Sequence, residues 1–254
     1  MTPSIAERLA NGETILGLAN SLGDPTIIES MCKGWDFVWI DGQHGTYAGR
    51  LDLQLSAVRA AECTGVEAMV RVAGHDYSVL GPVADLGPTM IMVPMVNTTD
   101  DAEKIVHGLK FAPLGSRSFG GRRVYDRFGS DYCDHHQPMI VAQIETPEAV
   151  ENAEDIAAIE GIDALLFGPD DMKKQLGLSM STGVLESDTL TSLMEQTANA
   201  ALEAGKVAAA IAPSVELFQL VHGLGYRMIV GGADARYIRF GAAESLEQLA
   251  ALIP

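Results

Sequence analysis

Two acidic side chains, Glu145 and Asp171, each stand just beyond a short apolar run, Met139 to Ile144 and Ala164 to Phe167. If those runs form adjacent strands, the two carboxylates converge without help from the rest of the chain. Such a pair suits a hard divalent cation, Mg2+ or Mn2+, which takes oxygen ligands and keeps an open edge for a substrate oxygen. The competing reading is that Glu145 merely serves the helix start at Thr146-Pro147-Glu148, where an acid is favourable. The turn Phe167-Gly168-Pro169-Asp170-Asp171 offers backbone N–H groups that could hold a small carboxylate, and it also fits a plain strand-to-helix connection.

Arg71 closes the apolar run Ala68-Met69-Val70, so its guanidinium needs an anion, either in a structural salt bridge or at a site. His44, in Asp41-Gly42-Gln43-His44-Gly45, carries the side chain best suited to moving protons near neutral pH, although a loop histidine is often only solvated. His135-His136 beside Cys133 reads as a solvated loop, because adjacent histidines rarely aim at one point. His75 and His222 have no converging partners in the sequence. Trp35 and Trp39 read as core or interface packing. With no Gly-x-Ser-x-Gly elbow, a serine hydrolase is unsupported.

These residues need a scaffold that gathers strand ends. Eight apolar runs fit strands: 14–18, 37–40, 68–72, 90–95, 139–144, 164–167, 206–211 and 228–230. Helix-period segments alternate with them at about 24–33, 50–63, 76–86, 99–110, 147–157, 185–204, 214–223 and 235–252. Eight β/α units in 254 residues predict a (β/α)8 barrel, whose chemistry gathers at the C-terminal strand ends. An open doubly wound sheet is the competitor, weakened by the lack of a Gly-x-Gly-x-x-Gly turn after the first strand. The segment Leu114 to Pro138 breaks the rhythm: it has no clear strand but holds Arg117, Arg122, Arg123 and Arg127. It reads as a functional or interface loop, or else a solvated excursion. No linker or repeat interrupts the alternation, so residues 1–254 read as one domain.

Composition narrows the partners. A net charge of −17 repels phosphate backbones and anionic lipid, so neither nucleic acid nor a membrane surface is an expected partner. The longest apolar stretches, such as Met90 to Val96, are far short of the roughly 20 residues a bilayer span needs. The start, Met1 to Gly12, shows no secretory pattern, so a cytoplasmic location is expected. Cys32, Cys63 and Cys133 are odd in number with no Cys-x-x-Cys pair, and read as reduced, mostly buried thiols.

Taken together, the motifs resemble the class II pyruvate aldolases of the HpcH/HpaI family. The resemblance rests on Phe37-Val38-Trp39-Ile40-Asp41-Gly42-Gln43-His44, Val70-Arg71, Met92-Val93-Pro94-Met95-Val96 and Gln143-Ile144-Glu145-Thr146. It continues through Glu160-Gly161-Ile162-Asp163, Phe167-Gly168-Pro169-Asp170-Asp171 and Val230-Gly231-Gly232-Ala233-Asp234. It implies a TIM barrel of the phosphoenolpyruvate/pyruvate-domain type that reversibly cleaves a 4-hydroxy-2-oxo acid to pyruvate and an aldehyde. A divalent metal, Mg2+ or Mn2+ with Co2+ or Zn2+ as alternatives, would sit on Glu145 and Asp171 and stabilise the enolate, so no Schiff-base lysine is needed. By the same resemblance Arg71 contacts the keto oxygen, and His44 moves the proton of the C4 hydroxyl. Gln143, Gly168 and Asp170 contact the oxo acid or its surroundings, and Asp41 and Gln43 support the site from behind. Asp85 matches an aspartate that pairs with the histidine. It precedes strand four and so belongs to the opposite face of its own barrel, which implies an active site completed by a neighbour in a homo-oligomer, a hexamer or trimer of dimers.

Three features depart from the family pattern. Gln43 stands where many relatives have Glu, Ala19 where many have Trp beside the aldehyde, and the Arg-rich segment from Ser116 to Arg127 diverges and could recognise a carboxylate on the aldehyde half. The rival enzyme readings are an acyl-CoA-type carbon–carbon lyase and an oxaloacetate decarboxylase on the same barrel. The non-enzyme rival is an inactive oligomeric barrel.

Overall fold

Each β-rich run forms a strand, and the strands close on themselves. The computed structural model describes residues 3–253. Eight parallel strands, β1 (Ile15–Asn20), β2 (Phe37–Asp41), β3 (Glu67–Arg71), β4 (Met90–Val93), β5 (Met139–Ile144), β6 (Ala164–Phe167), β7 (Val207–Ile211) and β8 (Met228–Ala233), pair in chain order, and β8 returns to β1. A register shift between Gly17 and Leu18 lets the last strand meet the first. The expected (β/α)8 barrel is therefore the observed one, and the open sheet falls away.

Alternation along each strand sorts the side chains into two cores. Ile15, Phe37, Trp39, Met69, Met90, Met92, Val141, Leu166, Met228 and Val230 fill the barrel, while Val38, Ile40, Val70, Ile91, Leu165 and Ile229 face the helices. Gly17 is glycine for a reason of space: a Cβ there would lie 2.1 Å from the ring of Phe37.

The outer layer is α2 (Pro25–Met31), α3 (Leu51–Thr64), α4 (Tyr77–Ala84), α5 (Thr99–Leu109), α8 (Pro147–Glu151), α9 (Ala153–Ala158), α10 (Pro169–Gln175), α11 (Asp188–Glu203) and α12 (Val215–Gly223). Starts are fixed by side-chain caps: Asp24, Thr98, Thr146, Ser187 and Ser214 each accept a backbone N–H of the following first turn. The single helix expected over 147–157 is two, broken at Asn152, whose amide reaches back to the carbonyl of Asn97 at 2.8 Å. Besides two in the segment Leu114 to Pro138, two helices were not expected: α1 (Ile5–Ala10), and α10, a seven-residue helix that begins with Pro169.

The last helix, α13 (Asp234–Ala250), departs from the barrel plan. Beyond Ala235 every residue through Ile253 is exposed, including Tyr237, Phe240, Leu246 and Leu249. Its first turn packs on the β8–β1 seam, where Tyr237 meets Gly232 and Leu18 and Ile229 are fully buried, while its later turns are exposed. Leu16 on the outside of β1 is 37% exposed, and Trp35 lies over Gly231 of β8.

The segment from Leu114 to Pro138 has no strand, as expected, and holds α6 (Arg122–Phe128) and α7 (Tyr132–His135). Its arginines are engaged by the chain's own acids: Arg117 with Asp85 at 2.8 Å, Arg122 with Asp126, Arg123 with Glu62, and Arg127 with Glu62 at 3.1 Å. Glu62 and Asp85 lie at the C-terminal ends of α3 and α4, hence at the N-terminal face of the barrel. Within one chain, then, the segment is neither a solvated excursion nor a recognition element at the mouth.

Several smaller expectations are corrected. Only Cys32 is buried; Cys63 is exposed and Cys133 half-buried. His136 is not solvated but stacks on Phe128 at 3.5 Å, and burial pushes its imidazole down to about 4. His75 does have partners, the carbonyl of Pro94 at 2.6 Å and Asp101, and His222 lies 3.1 Å from the Thr14 hydroxyl. Among the described residues no helix is long and apolar enough to cross a membrane.

Candidate active site

The C-terminal ends of β2, β3, β5 and β6 bring the expected polar residues to one mouth. Asp41 is the last residue of β2 and Arg71 the last of β3, and the two are register partners. Arg71 donates from Nε to one Asp41 oxygen at 2.9 Å and from Nη2 to the other at 2.8 Å, both side chains being buried. Its Cζ lies 4.7 Å from the ring centre of Trp39, directly below in the barrel. Two of its three nitrogens are thus committed to holding it in place, and Nη1 takes no part in that pair. Burial pushes the Asp41 carboxyl up, but Arg71 and the N–H groups of His44 and Gln43 outweigh it and hold the group below the usual carboxylate range. The salt bridge foreseen for Arg71 exists, and it orients the guanidinium at the mouth.

His44 lies on the β2–α3 loop, exposed, with its N–H and that of Gln43 donated to Asp41. Gly42 donates to the Arg71 carbonyl at 2.9 Å, tying this loop to β3.

Glu145, one residue beyond β5, is 1% exposed. It does not cap α8, because the Thr146 hydroxyl performs that task. One oxygen accepts the Met95 N–H at 2.8 Å and the other the Gln143 amide at 2.6 Å. Met95 holds φ at 54°, the one non-glycine residue with positive φ among the described residues, so backbone strain is spent on aiming that N–H. Burial pushes the Glu145 carboxyl up to about 7. The nearby Asp171 carboxylate contributes to that rise, against the opposing pull of Met95 and Arg71.

Two neighbouring carboxylates, one of them buried, favour a proton or a cation between them. The donor set fits a hard divalent ion, and two features of the packing agree. The side-chain amide oxygen of Gln143 is buried without a partner. A Cβ at Gly168 would stand 2.7 Å from Glu145 Cβ and 2.8 Å from its carboxylate, so only glycine leaves the acid its place. No cluster of three or more His, Cys, Asp or Glu side chains occurs among the described residues, so water and substrate oxygens would complete the shell.

The β6–α10 turn is less generous than its sequence implied. The Gly168 N–H is spent on the Ile144 carbonyl at 2.9 Å, and Pro169 has none. Asp170 is exposed and paired with Lys173 at 3.1 Å, and Asp171 is exposed in the first turn of α10. Asp85 is far from this mouth within the chain, as its sequence position implied. Sequence reasoning missed Trp39 as the support of Arg71 and Met95 as a donor to Glu145. The first shows no sign beyond strand alternation, and the second only the preceding proline.

A family model described as HpcH/HpaI aldolase/citrate lyase matches residues 20–238. The chain is 36% identical over 251 residues to a 4-hydroxy-2-oxovalerate aldolase of Novosphingobium aromaticivorans, covering 96% of this chain and 94% of that one. It is 29% identical to a hydroxypyruvate/pyruvate aldolase of Delftia acidovorans, covering 94% and 89%. A crystal structure of an HpcH/HpaI aldolase/citrate lyase family protein from Burkholderia cenocepacia superposes with a TM-score of 0.87 at 27% identity, covering 97% and 98% of the two chains.

Proposed function

The chain belongs to the HpcH/HpaI aldolase/citrate lyase family and is a carbon–carbon lyase, and on that premise we propose a division of labour among its residues in the retro-aldol cleavage of a 4-hydroxy-2-oxo acid to pyruvate and an aldehyde. The observation that carries the reading is the buried Glu145 carboxyl with Asp171 close by, beside an Arg71 whose orientation is fixed by Asp41. Glu145 and Asp171 would hold Mg2+ or Mn2+, which supplies Lewis-acid stabilisation of negative charge on a chelating 2-oxo acid. Arg71 faces the keto oxygen, where charge builds as the C3–C4 bond breaks and its electron pair moves into the enolate. His44 takes the C4 hydroxyl proton as that oxygen becomes the aldehyde carbonyl, and a proton added at C3 completes pyruvate. Gln143 and the Gly168–Asp170 turn shape the oxo-acid side, and Gln43 borders the mouth beside His44.

Ala19 and Ile211 pack on the barrel interior and offer short, apolar surroundings, which suit a small aldehyde half such as the one implied by the similarity to a 4-hydroxy-2-oxovalerate aldolase. The first test is pyruvate release from a panel of 4-hydroxy-2-oxo acids with and without chelator. Release abolished by chelator and restored by Mg2+ or Mn2+ is expected, and cleavage indifferent to chelator overturns the metal assignment.

The same reading makes the protein a homo-oligomer. Each chain carries a helix, α13, about 25 Å long, whose Ile238, Phe240, Leu246 and Leu249 are exposed, and on its β8–β1 seam Leu16 is 37% exposed. A two-fold exchange seats each helix on the partner's seam and satisfies both chains at once. A second, heterologous contact presenting Asp85 to a neighbour's His44 would close three such dimers into a hexamer. Arg117 occupies only one Asp85 oxygen, and the side chain is 36% exposed. The expected result for Phe240→Glu with Leu246→Glu is a fall in solution mass by light scattering, with aldol activity falling alongside. A wild-type monomer of full activity contradicts the assembly.

A further inference from the structure

The loop that carries His44 is held from two sides, and only one of them is the Asp41–Arg71 pair. On the other side stands Asp234, at the junction of β8 and α13, fully buried. Its carboxylate accepts the Asn20 amide at 2.8 Å, the N–H and hydroxyl of Ser21 at 3.0 and 3.1 Å, the Leu22 N–H at 3.0 Å and the Ala235 N–H at 2.7 Å. Asn20 in turn accepts the phenolic O–H of buried Tyr47 on its amide oxygen. The Ser21 carbonyl accepts the Thr46 N–H at 2.9 Å. Gly45 lies so close that a Cβ would stand 2.9 Å from that carbonyl and 3.0 Å from the carbonyl of Asp41. The Tyr47 carbonyl is held by the Gln54 amide at 2.9 Å. Residues 42–47 are therefore clamped between Asp41 and a β1–α2 loop whose shape is dictated by Asp234.

A buried carboxylate that accepts this many donors fixes its neighbours more firmly than apolar packing does, because every donor would be orphaned by a shift. None of Asp234, Asn20 and Tyr47 makes a hydrogen bond to Arg71, Glu145 or Asp171. We infer that Asp234 is a positioning residue for His44: acting through Asn20, Ser21 and Tyr47, it sets where the imidazole stands at the mouth. It thereby governs removal of the hydroxyl proton without touching the groups that stabilise the enolate. The inference rests on the retro-aldol reading above.

Two reactions separate those duties. In aldol cleavage the C3–C4 pair becomes the enolate only if the C4 hydroxyl proton is removed. In oxaloacetate decarboxylation the same pair is left when CO2 departs, with no hydroxyl proton to take. Tyr47→Phe deletes one O–H and keeps the ring, so the fold is preserved; Asp234→Asn removes one acceptor and adds donors facing donors. For Tyr47→Phe, kcat for aldol cleavage is expected to fall about 10- to 100-fold at unchanged KM. Oxaloacetate decarboxylation should stay within about twofold, and His44→Ala should reproduce the split. Asp234→Asn should show the larger loss in the same direction. An unchanged aldol kcat in Tyr47→Phe, or an equal fall of both activities, overturns the inference. A wild type that cleaves no 4-hydroxy-2-oxo acid is a different result: it overturns the reading of function, and this inference with it.

Discussion

Arg71→Ala is expected to lower kcat for aldol cleavage by about 10³-fold while the circular dichroism spectrum stays that of a folded barrel. Removing one neutral donor from an oxyanion site costs 10²- to 10³-fold in comparable systems, and a buried cation facing developing charge is the stronger case. The loss should fall on kcat more than KM, because the charge Arg71 meets appears only as the bond breaks. Stability moves too, since Asp41 is left buried with the N–H groups of Gln43 and His44 but no counter-ion. A cost of about 3 kcal/mol, read as a lower Tm, follows from stranding one partner of a buried pair. Arg71→Lys separates the two effects. It keeps a positive charge near Asp41, recovering most of the Tm, yet it cannot make the two-pronged contact and also present a third nitrogen outward. Turnover near wild type in Arg71→Ala reduces the residue to a structural salt bridge.

The contrast between Arg71 and the Arg-rich segment shows what a sequence carries and what it withholds. Arg71, Asp41 and Glu145 were legible because each ends an apolar run, and in a closed parallel barrel the run ends meet at one place whatever the helices do. Arg117, Arg123 and Arg127 had no such anchor. Their partners, Asp85 and Glu62, lie far away in the chain, and only the packing of α6 under α3 and α4 brings them together. The helix α10 escaped notice because its start, Gly168-Pro169, is also the start of a turn, and it is too short to show a period. The Gly168 N–H could not be judged free or taken without knowing that it continues the ladder to β5. The exposure of α13 was hidden for the opposite reason: its apolar spacing is that of any covered helix, and a sequence does not say which barrel it covers.

Glu145→Gln is expected to abolish metal-dependent cleavage, a loss of about 10³-fold or more in kcat/KM, with Mg2+ titration no longer restoring activity after chelation. The variant is nearly isosteric and still accepts the Met95 N–H, so what it removes is charge. That charge also gives the metal-free protein a pH dependence of definite sign. The Glu145 carboxyl sits at about 7, mainly through burial, against an ordinary value of 4.5. As pH rises past 4.5 the unfolded chain sheds this proton first, while the folded chain keeps it until about 7. Stability is therefore fully retained below 4.5 and declines up to about 7, by an amount on the order of 2–3 kcal/mol. Chelated wild type should lose Tm over that window more steeply than Glu145→Gln, which has no proton to lose. Metal binding runs the other way, because the ion needs the carboxylate: affinity should climb with pH and level off above about 7. If wild type and Glu145→Gln give parallel Tm profiles after chelation, Glu145 is not held protonated by its surroundings. The case for a cation replacing that proton then loses its physical basis.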